Sequence, residues 1–179
     1  MKKLGAIIAG GKASRFGGDK GSALLQGRPL IEHVVQGLES QVDKIIICGA
    51  QWPGIDSVED RPHAHLGPLG GINAALYFAQ QNGFDLVMTA GCDVLPVAQL
   101  PKDLPDGIAA YVTDHYLFGV WPTSLWQSLY HHLAQQSDHS MRHWIATIDA
   151  RALPPVTAHY NLNTQVDLEH YAAQFGIVA

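Results

Sequence analysis

The chain has 179 residues and a formal net charge of −5, with 47% hydrophobic and 15% charged residues. Those figures predict one soluble domain over residues 1–179, and the acidic balance argues against a nucleic-acid or anionic-membrane binder. No run reaches the roughly 20 apolar residues that span a bilayer, and the apolar start is interrupted at Gly10 before it makes a signal peptide, so a cytoplasmic protein is expected.

The first element is a short apolar run over residues 4–9, which reads as a strand covered on both faces. A helix is predicted over 29–39, with Pro29 near its start and Leu30, Val34, Val35 and Leu38 on one face. Strands follow at 44–48 and 85–90, separated by a helix over 69–81 that carries Ile72, Ala75, Leu76 and Ala79 at helical spacing. Strand, helix, strand, helix, strand predicts a three-layer α/β fold: a doubly wound, mostly parallel sheet with helices on both faces. Beyond Asp93 the pattern loosens. A short helical piece is expected between Pro96 and Pro105, then strands at 108–112 and 117–121 around the turn Thr113-Asp114-His115. Helices at 123–136 and 140–149, a strand at 156–162 and a helix at 165–175 complete the chain. Cys48 and Cys92 each end an apolar run and read as buried free thiols.

The densest chemical signal lies directly after the first strand. From Gly10 to Lys20 the chain places four glycines and three cationic side chains, and six of its eleven Lys and Arg residues fall in the first 28 positions. Glycine lets backbone approach a ligand closely, and exposed N–H groups beside Lys and Arg make an anion cradle. The stretch fits neither G-x-G-x-x-G nor G-x-x-x-x-G-K-[ST], so the dinucleotide and P-loop registers are both excluded. An ordinary glycine turn with solvated charges is the plainer alternative.

Asp93 falls just past the carboxyl end of the third predicted strand, the edge where ligands bind in open α/β sheets, and a carboxylate there can hold Mg²⁺ against phosphate oxygens. Its plainer role is to cap a turn. Asp60, ahead of the glycine-rich turn Gly67-Pro68-Leu69-Gly70-Gly71, can accept hydrogen bonds from a base or a ribose. Asn161-Leu162-Asn163-Thr164 ends a strand and opens a helix, so Asn163 or Thr164 reads first as an N-cap. Ten histidines, including His139 and His143 on one predicted helix and His63 with His65 in a loop, lack a third ligand at metal spacing and read as structural. Trp121, Trp126 and Trp144 read as packing residues.

The segments Ile8 to Lys20, Gly67 to Gly71, Cys92 to Pro96 and Asn161 to Thr164, in that order, resemble the molybdenum cofactor guanylyltransferase family. The resemblance covers essentially the whole chain. It implies transfer of GMP from GTP to the phosphate of molybdopterin, with release of pyrophosphate and with Mg²⁺ as cofactor. Carried over by motif, Ile8, Ala9 and Gly10 contact the nucleotide, and Arg15 and Lys20 hold triphosphate oxygens. Asp60 and Gly71 belong to the nucleotide site, Asp93 binds the metal, and Asn163 lies near the metal or the acceptor. Molybdenum-insertion proteins and molybdoenzyme chaperones are the implied protein partners. The chain departs from the pattern in three places. Gln165 stands where a proline follows Asn-x-Asn-Thr, Cys48 stands where an Asn is common, and His115 to Pro122 lacks a His-Pro pair. A cytidylyl or sugar-phosphate relative and a nucleotide-binding adaptor without catalysis remain the alternative readings.

Overall fold

A computed structural model describes residues 1–10, 20–101, 105 and 107–176. A seven-stranded mixed sheet divides two layers of helices. In chain order the elements begin with β1 (Lys3–Ile8), the two-residue strands β2 (Leu24–Leu25) and β3 (Arg28–Pro29), and α1 (Leu30–Glu39). Next come β4 (Lys44–Cys48), β5 (Asp56–Val58), α2 (Pro68–Gln81), β6 (Leu86–Gly91) and β7 (Val94–Leu95). The remainder is β8 (Ala110–Val112), β9 (His115–Pro122), α3 (Trp126–Gln135), α4 (Met141–Thr147), β10 (Arg151–Leu153), β11 (Tyr160–Asn161) and α5 (Gln165–Gln174).

The main sheet runs β10-β8-β9-β6-β1-β4-β5. β1 is central and parallel to both β4 and β6, and β5 extends the parallel half beyond β4. β9 runs antiparallel to both β6 and β8, so the sheet reverses direction between β6 and β9. Because side chains alternate across a strand, β1 feeds both layers. Leu4, Ala6 and Ile8 pack with α2, α3 and α4, and Ile7 packs with α1 and α5. Strands sandwiched in this way must be apolar on both faces, which is why β1, β4 and β6 are visible as short hydrophobic runs.

Several elements differ from expectation. The stretch after Pro96 forms no helix over its described residues. Its backbone is satisfied instead by the Gln41 side chain, whose Nε2 donates to the Ala98 carbonyl (3.1 Å) and whose Oε1 accepts from the Leu100 N–H (3.1 Å). The strand expected at 156–162 shrinks to Tyr160–Asn161, downstream of two consecutive prolines, Pro154 and Pro155, which have no N–H to give a ladder. His139 precedes α4 rather than sharing a helix with His143, because Ser140 is the N-cap and its hydroxyl accepts from the His143 N–H (3.2 Å). β5 and β10 are short edge strands without an apolar run and were not expected at all.

Candidate nucleotide site at the carboxyl edge of the parallel strands

β1, β4, β5 and β6 all run in the same direction, so their carboxyl ends converge on one edge of the sheet. The ladder ends in a fixed order there. The Ala9 N–H donates to the Cys48 carbonyl (2.9 Å) and the Cys92 N–H donates to the Ile8 carbonyl (3.3 Å). Ile8 and Ala9 thus hold the sheet together at this edge, and Gly10 is the first residue of β1's continuation to line open space. That space is a cavity of about 1060 Å³ bounded by Gly10, Gly49, Asp60, His63, His65 and Gly67 among others.

Asp60 and Glu59 are the carboxylates that line it, and four glycines pack around Asp60. A Cβ added at Gly10, Gly49, Gly70 or Gly71 would lie within 4.0 Å of a side-chain atom of Asp60. Gly49 is the most constrained of the four. Its φ is +82°, and a Cβ there would sit 2.7 Å from the Gly10 Cα and 2.9 Å from its nitrogen. The backbones of β1 and β4 therefore come together beneath the Asp60 carboxylate in a way only glycine permits. Gly71 plays a packing role in the same cage, since its added Cβ would be 3.1 Å from the Cys48 Cβ and 3.3 Å from the Ile8 Cδ1. Burial pushes the Asp60 carboxyl above the ordinary aspartate value, and His65 partly offsets that rise. The Cys48 thiol, fully buried and close to Asp60, is held far above its ordinary value and stays neutral.

Asp93 stands two residues beyond β6, half-buried, with one carboxylate oxygen 3.2 Å from where a Gly91 Cβ would be. Its backbone is pinned from the far end of the chain. The Leu162 N–H donates to the Asp93 carbonyl (2.8 Å), and β7 pairs antiparallel with β11, placing Asn161 opposite Val94. The Asn-Leu-Asn-Thr segment is thereby brought against Asp93. Thr164 closes it as the N-cap of α5 in a full capping box with Asp167, whose carboxylate also accepts from the Asn163 N–H (2.9 Å). A second cavity, of about 280 Å³, opens here and is lined by Asp93, Asp114, His115, Phe118 and Asn161 among others. His159 lies behind it, edge-on to both His115 and Phe118, with ring centroids 5.0 Å away in each case.

The expected site residues fall on this edge as follows. Gly10, Asp60 and Gly71 come together around the larger cavity. Asp93 and Asn161 line the smaller one, and Leu162 is bonded to the Asp93 backbone, while Asn163 is not among the residues that line it. Lys20 opens a single 3₁₀ turn, Lys20–Ser22, at the far end of the first loop. Arg15 lies outside the described residues. Gly49 was not anticipated as part of the site, although it has a signal, a glycine directly after a buried strand. Gly70 lies in the glycine-rich turn read from the sequence, and His115 in the His115 to Pro122 stretch compared with the family pattern.

The donor set suits a hard cation that is shared with a ligand. Among the described residues no cluster of three or more His, Cys, Asp or Glu side chains can hold a metal by itself. Mg²⁺ is commonly held through one or two carboxylates together with substrate phosphates and water, and Asp93 and Asp114 are the carboxylates at the smaller cavity.

Residues 5–156 match the MobA-like NTP transferase domain. This chain belongs to that family. It is 30% identical to a molybdenum cofactor guanylyltransferase of Acidiphilium cryptum over 187 residues, covering 95% of this chain and 93% of the relative. It is 32% identical to the protein of the same name from Yersinia pestis, covering 92% of each. Among solved structures, the molybdopterin-guanine dinucleotide biosynthesis protein A of Archaeoglobus fulgidus superposes with a TM-score of 0.71 at 18% identity, over 98% of this chain and 100% of that one. The 2-C-methyl-D-erythritol 4-phosphate cytidylyltransferase of Francisella tularensis gives 0.68 at 12% identity, over 97% and 100%. At those identities the structural neighbours speak for the fold, a Rossmann-like nucleotidyltransferase sheet. Among the described residues, no helix is long and apolar enough to cross a membrane.

Proposed function

We propose that this family member transfers GMP from GTP to the phosphate of molybdopterin and releases pyrophosphate. The observation that carries the reading is the pair of carboxylates at one sheet edge. Asp60 stands in a glycine-lined cavity of about 1060 Å³, and Asp93 stands at a separate, smaller cavity on the other side of β1. A guanine presents two adjacent N–H donors to a carboxylate, and a ribose diol presents two O–H donors. Asp60 answers either pattern, and the glycines around it leave room for a flat ring or a sugar to approach.

In the reaction a phosphate oxygen of the acceptor attacks the α-phosphorus of GTP. The bond from that phosphorus to the bridging oxygen breaks, and the leaving pyrophosphate takes the electron pair. The protein's work is to place the two reactants in line and to neutralise charge. Asp60 and Gly10 seat the nucleoside. Arg15 and Lys20 hold the β and γ oxygens and stabilise the charge that grows on the leaving group. The acceptor takes the cavity beside Asp93, where His115 and Asn161 face it. Asp93 would hold Mg²⁺, which supplies charge neutralisation at the phosphate oxygens when bound.

The test is pyrophosphate release from each of GTP, CTP, UTP and ATP, with Mg²⁺, in the presence of molybdopterin or a sugar 1-phosphate. Release with GTP and molybdopterin alone is expected. Preferential use of CTP, or of a sugar phosphate, would replace this substrate pair. Nucleotide binding without release under every condition would make the protein a binding module.

A further inference from the structure

Asp60 lies in neither a strand nor a helix: it follows the short edge strand β5 and precedes the loop into α2. The chain is pinned on both sides of it: the Gly49 N–H donates to the Val58 carbonyl (3.0 Å) before it, and Arg61 is anchored directly after it. Arg61 is tied down twice. Its backbone N–H donates to the Gly70 carbonyl (3.1 Å), which fastens the segment to the first turn of α2. Its guanidinium carbon lies 3.9 Å from the centroid of the Tyr77 ring, two turns further along the same helix. Tyr77 in turn meets Trp126 of α3 edge to face, with centroids 5.3 Å apart and rings inclined at 70°. Below this stack the buried Asn73 donates from Nδ2 to the Trp126 carbonyl (2.7 Å), so the two helices that carry the aromatic rings are locked to each other.

The chemistry of the contact is specific. Among the described residues Arg61 forms no salt bridge, and its Nε is buried without a hydrogen-bond partner. The side chain is thus held by the face of an aromatic ring rather than by a carboxylate. A planar guanidinium stacks on a ring in a way that an ammonium does not. A buried N–H left unpaired is a cost that a purely structural arginine would be expected to shed. The preceding residue, Asp60, lies against Gly70 and Gly71.

We infer that Arg61, clamped on Tyr77, is a positioning residue that holds the Asp60 carboxylate in its glycine cage and so sets affinity for the nucleotide. This rests on the nucleotide reading of the Asp60 cavity. Arg61 does not line the larger cavity; it lines an adjoining groove of about 420 Å³ together with Tyr77 and Asn82, and Asp60 borders both, so Arg61 acts on the nucleotide through Asp60.

The experiment measures GTP affinity by calorimetry in the presence of Mg²⁺, alongside melting temperature and steady-state kinetics of pyrophosphate release. Arg61→Ala and Arg61→Lys are each expected to weaken GTP binding about tenfold, the size of one desolvated cation–ring contact, with kcat at saturating GTP and KM for the acceptor within about twofold of wild type. Tyr77→Leu should reproduce that change, Tyr77→Phe should restore the affinity that leucine loses, and Arg61→Ala/Tyr77→Leu should be no weaker than either single variant, as expected of two halves of one contact. Wild-type affinity in Arg61→Lys would overturn the inference, since charge without stacking would then suffice. So would a fall in melting temperature and kcat with GTP affinity unchanged. If the wild-type protein bound no GTP, the nucleotide reading itself would fail, a result distinct from wild-type binding that the variants leave untouched. Should Arg61→Ala not fold, Arg61→Lys and Tyr77→Leu decide the matter.

Discussion

The two halves of the sheet make their sites by different means. On the β1-β4-β5 side, β1 and β4 run into glycines, Gly10 and Gly49 line the cavity, and Gly70 and Gly71 let α2 pack closely against Asp60. On the β6-β9-β8 side, strands run antiparallel and the cavity is walled by Phe118, His115 and the backbone of β7 and β11. In the helical layer on the face of β9 opposite Phe118, Trp121 and Trp144 pack with ring centroids 4.8 Å apart, and the Trp121 indole N–H donates to the Thr89 hydroxyl (2.8 Å), which donates to the Leu117 carbonyl (2.7 Å). One half is open and backbone-rich, suited to a flat ligand that enters closely. The other is rigid and aromatic, suited to holding a carboxylate and its neighbours at fixed positions.

The comparison breaks most visibly in the aromatic half. Trp144→Ala removes a fully buried ring from that helical layer and is expected to cost about 3–5 kcal/mol of stability. Urea denaturation checks this, and a loss below about 1 kcal/mol would show that the half is less tightly built than its packing implies.

Next in size is the chemical consequence of Asp93. Asp93→Asn is expected to slow pyrophosphate release by about 100-fold or more while changing GTP affinity far less, because the charge it removes acts on the reacting phosphates. Comparable losses of affinity and turnover in steady-state kinetics would instead place Asp93 in nucleoside binding and erase the division of labour between the halves.

The smallest effect has two opposite signs. Burial raises the Asp60 carboxyl in the folded protein, so its ionisation above that raised pKa costs stability, and the cost disappears as pH falls toward the ordinary aspartate value of about 3.9. Asp60→Asn should therefore raise the melting temperature of the ligand-free protein at neutral pH and converge with wild type in acid. The same variant should bind GTP about tenfold more weakly, consistent with losing a hydrogen bond to a charged group. Wild-type affinity should fall on acidification from a higher pH than an ordinary aspartate would give, and that limb should vanish in the variant. A melting temperature unchanged at neutral pH would mean that the cage solvates the carboxylate better than its burial suggests.

The sites were unequally legible in the sequence. Asp93 was readable because a buried parallel strand is a hydrophobic run, and its end marks the ligand-binding edge. Asp60 was only a weak signal, since nothing local distinguishes an aspartate in a glycine cage from one in any loop. The Asn161 to Thr164 segment was read as a helix start, and Thr164 is one, with its capping box to Asp167. Its second role, fastening Asp93 through the Leu162 N–H, involves a residue 69 positions earlier and has no local signature. The second cavity was less legible still. His115, Phe118 and His159 meet through side-chain packing across a loop, and their spacing carries no period.

By itself, then, the sequence determined the three-layer α/β class, the buried strands β1, β4 and β6, and the amphipathic α1, and it marked the glycine-rich stretches at the carboxyl edge. These are properties of local periodicity and of backbone freedom, which neighbouring residues encode. Only the tertiary structure decided that Gly10, Gly49, Gly70 and Gly71 close around Asp60, that β7 and β11 deliver the asparagine segment to Asp93, and that Arg61 stacks on Tyr77. Those are contacts between elements far apart in the chain, set by how helices and strands dock rather than by anything their own residues repeat.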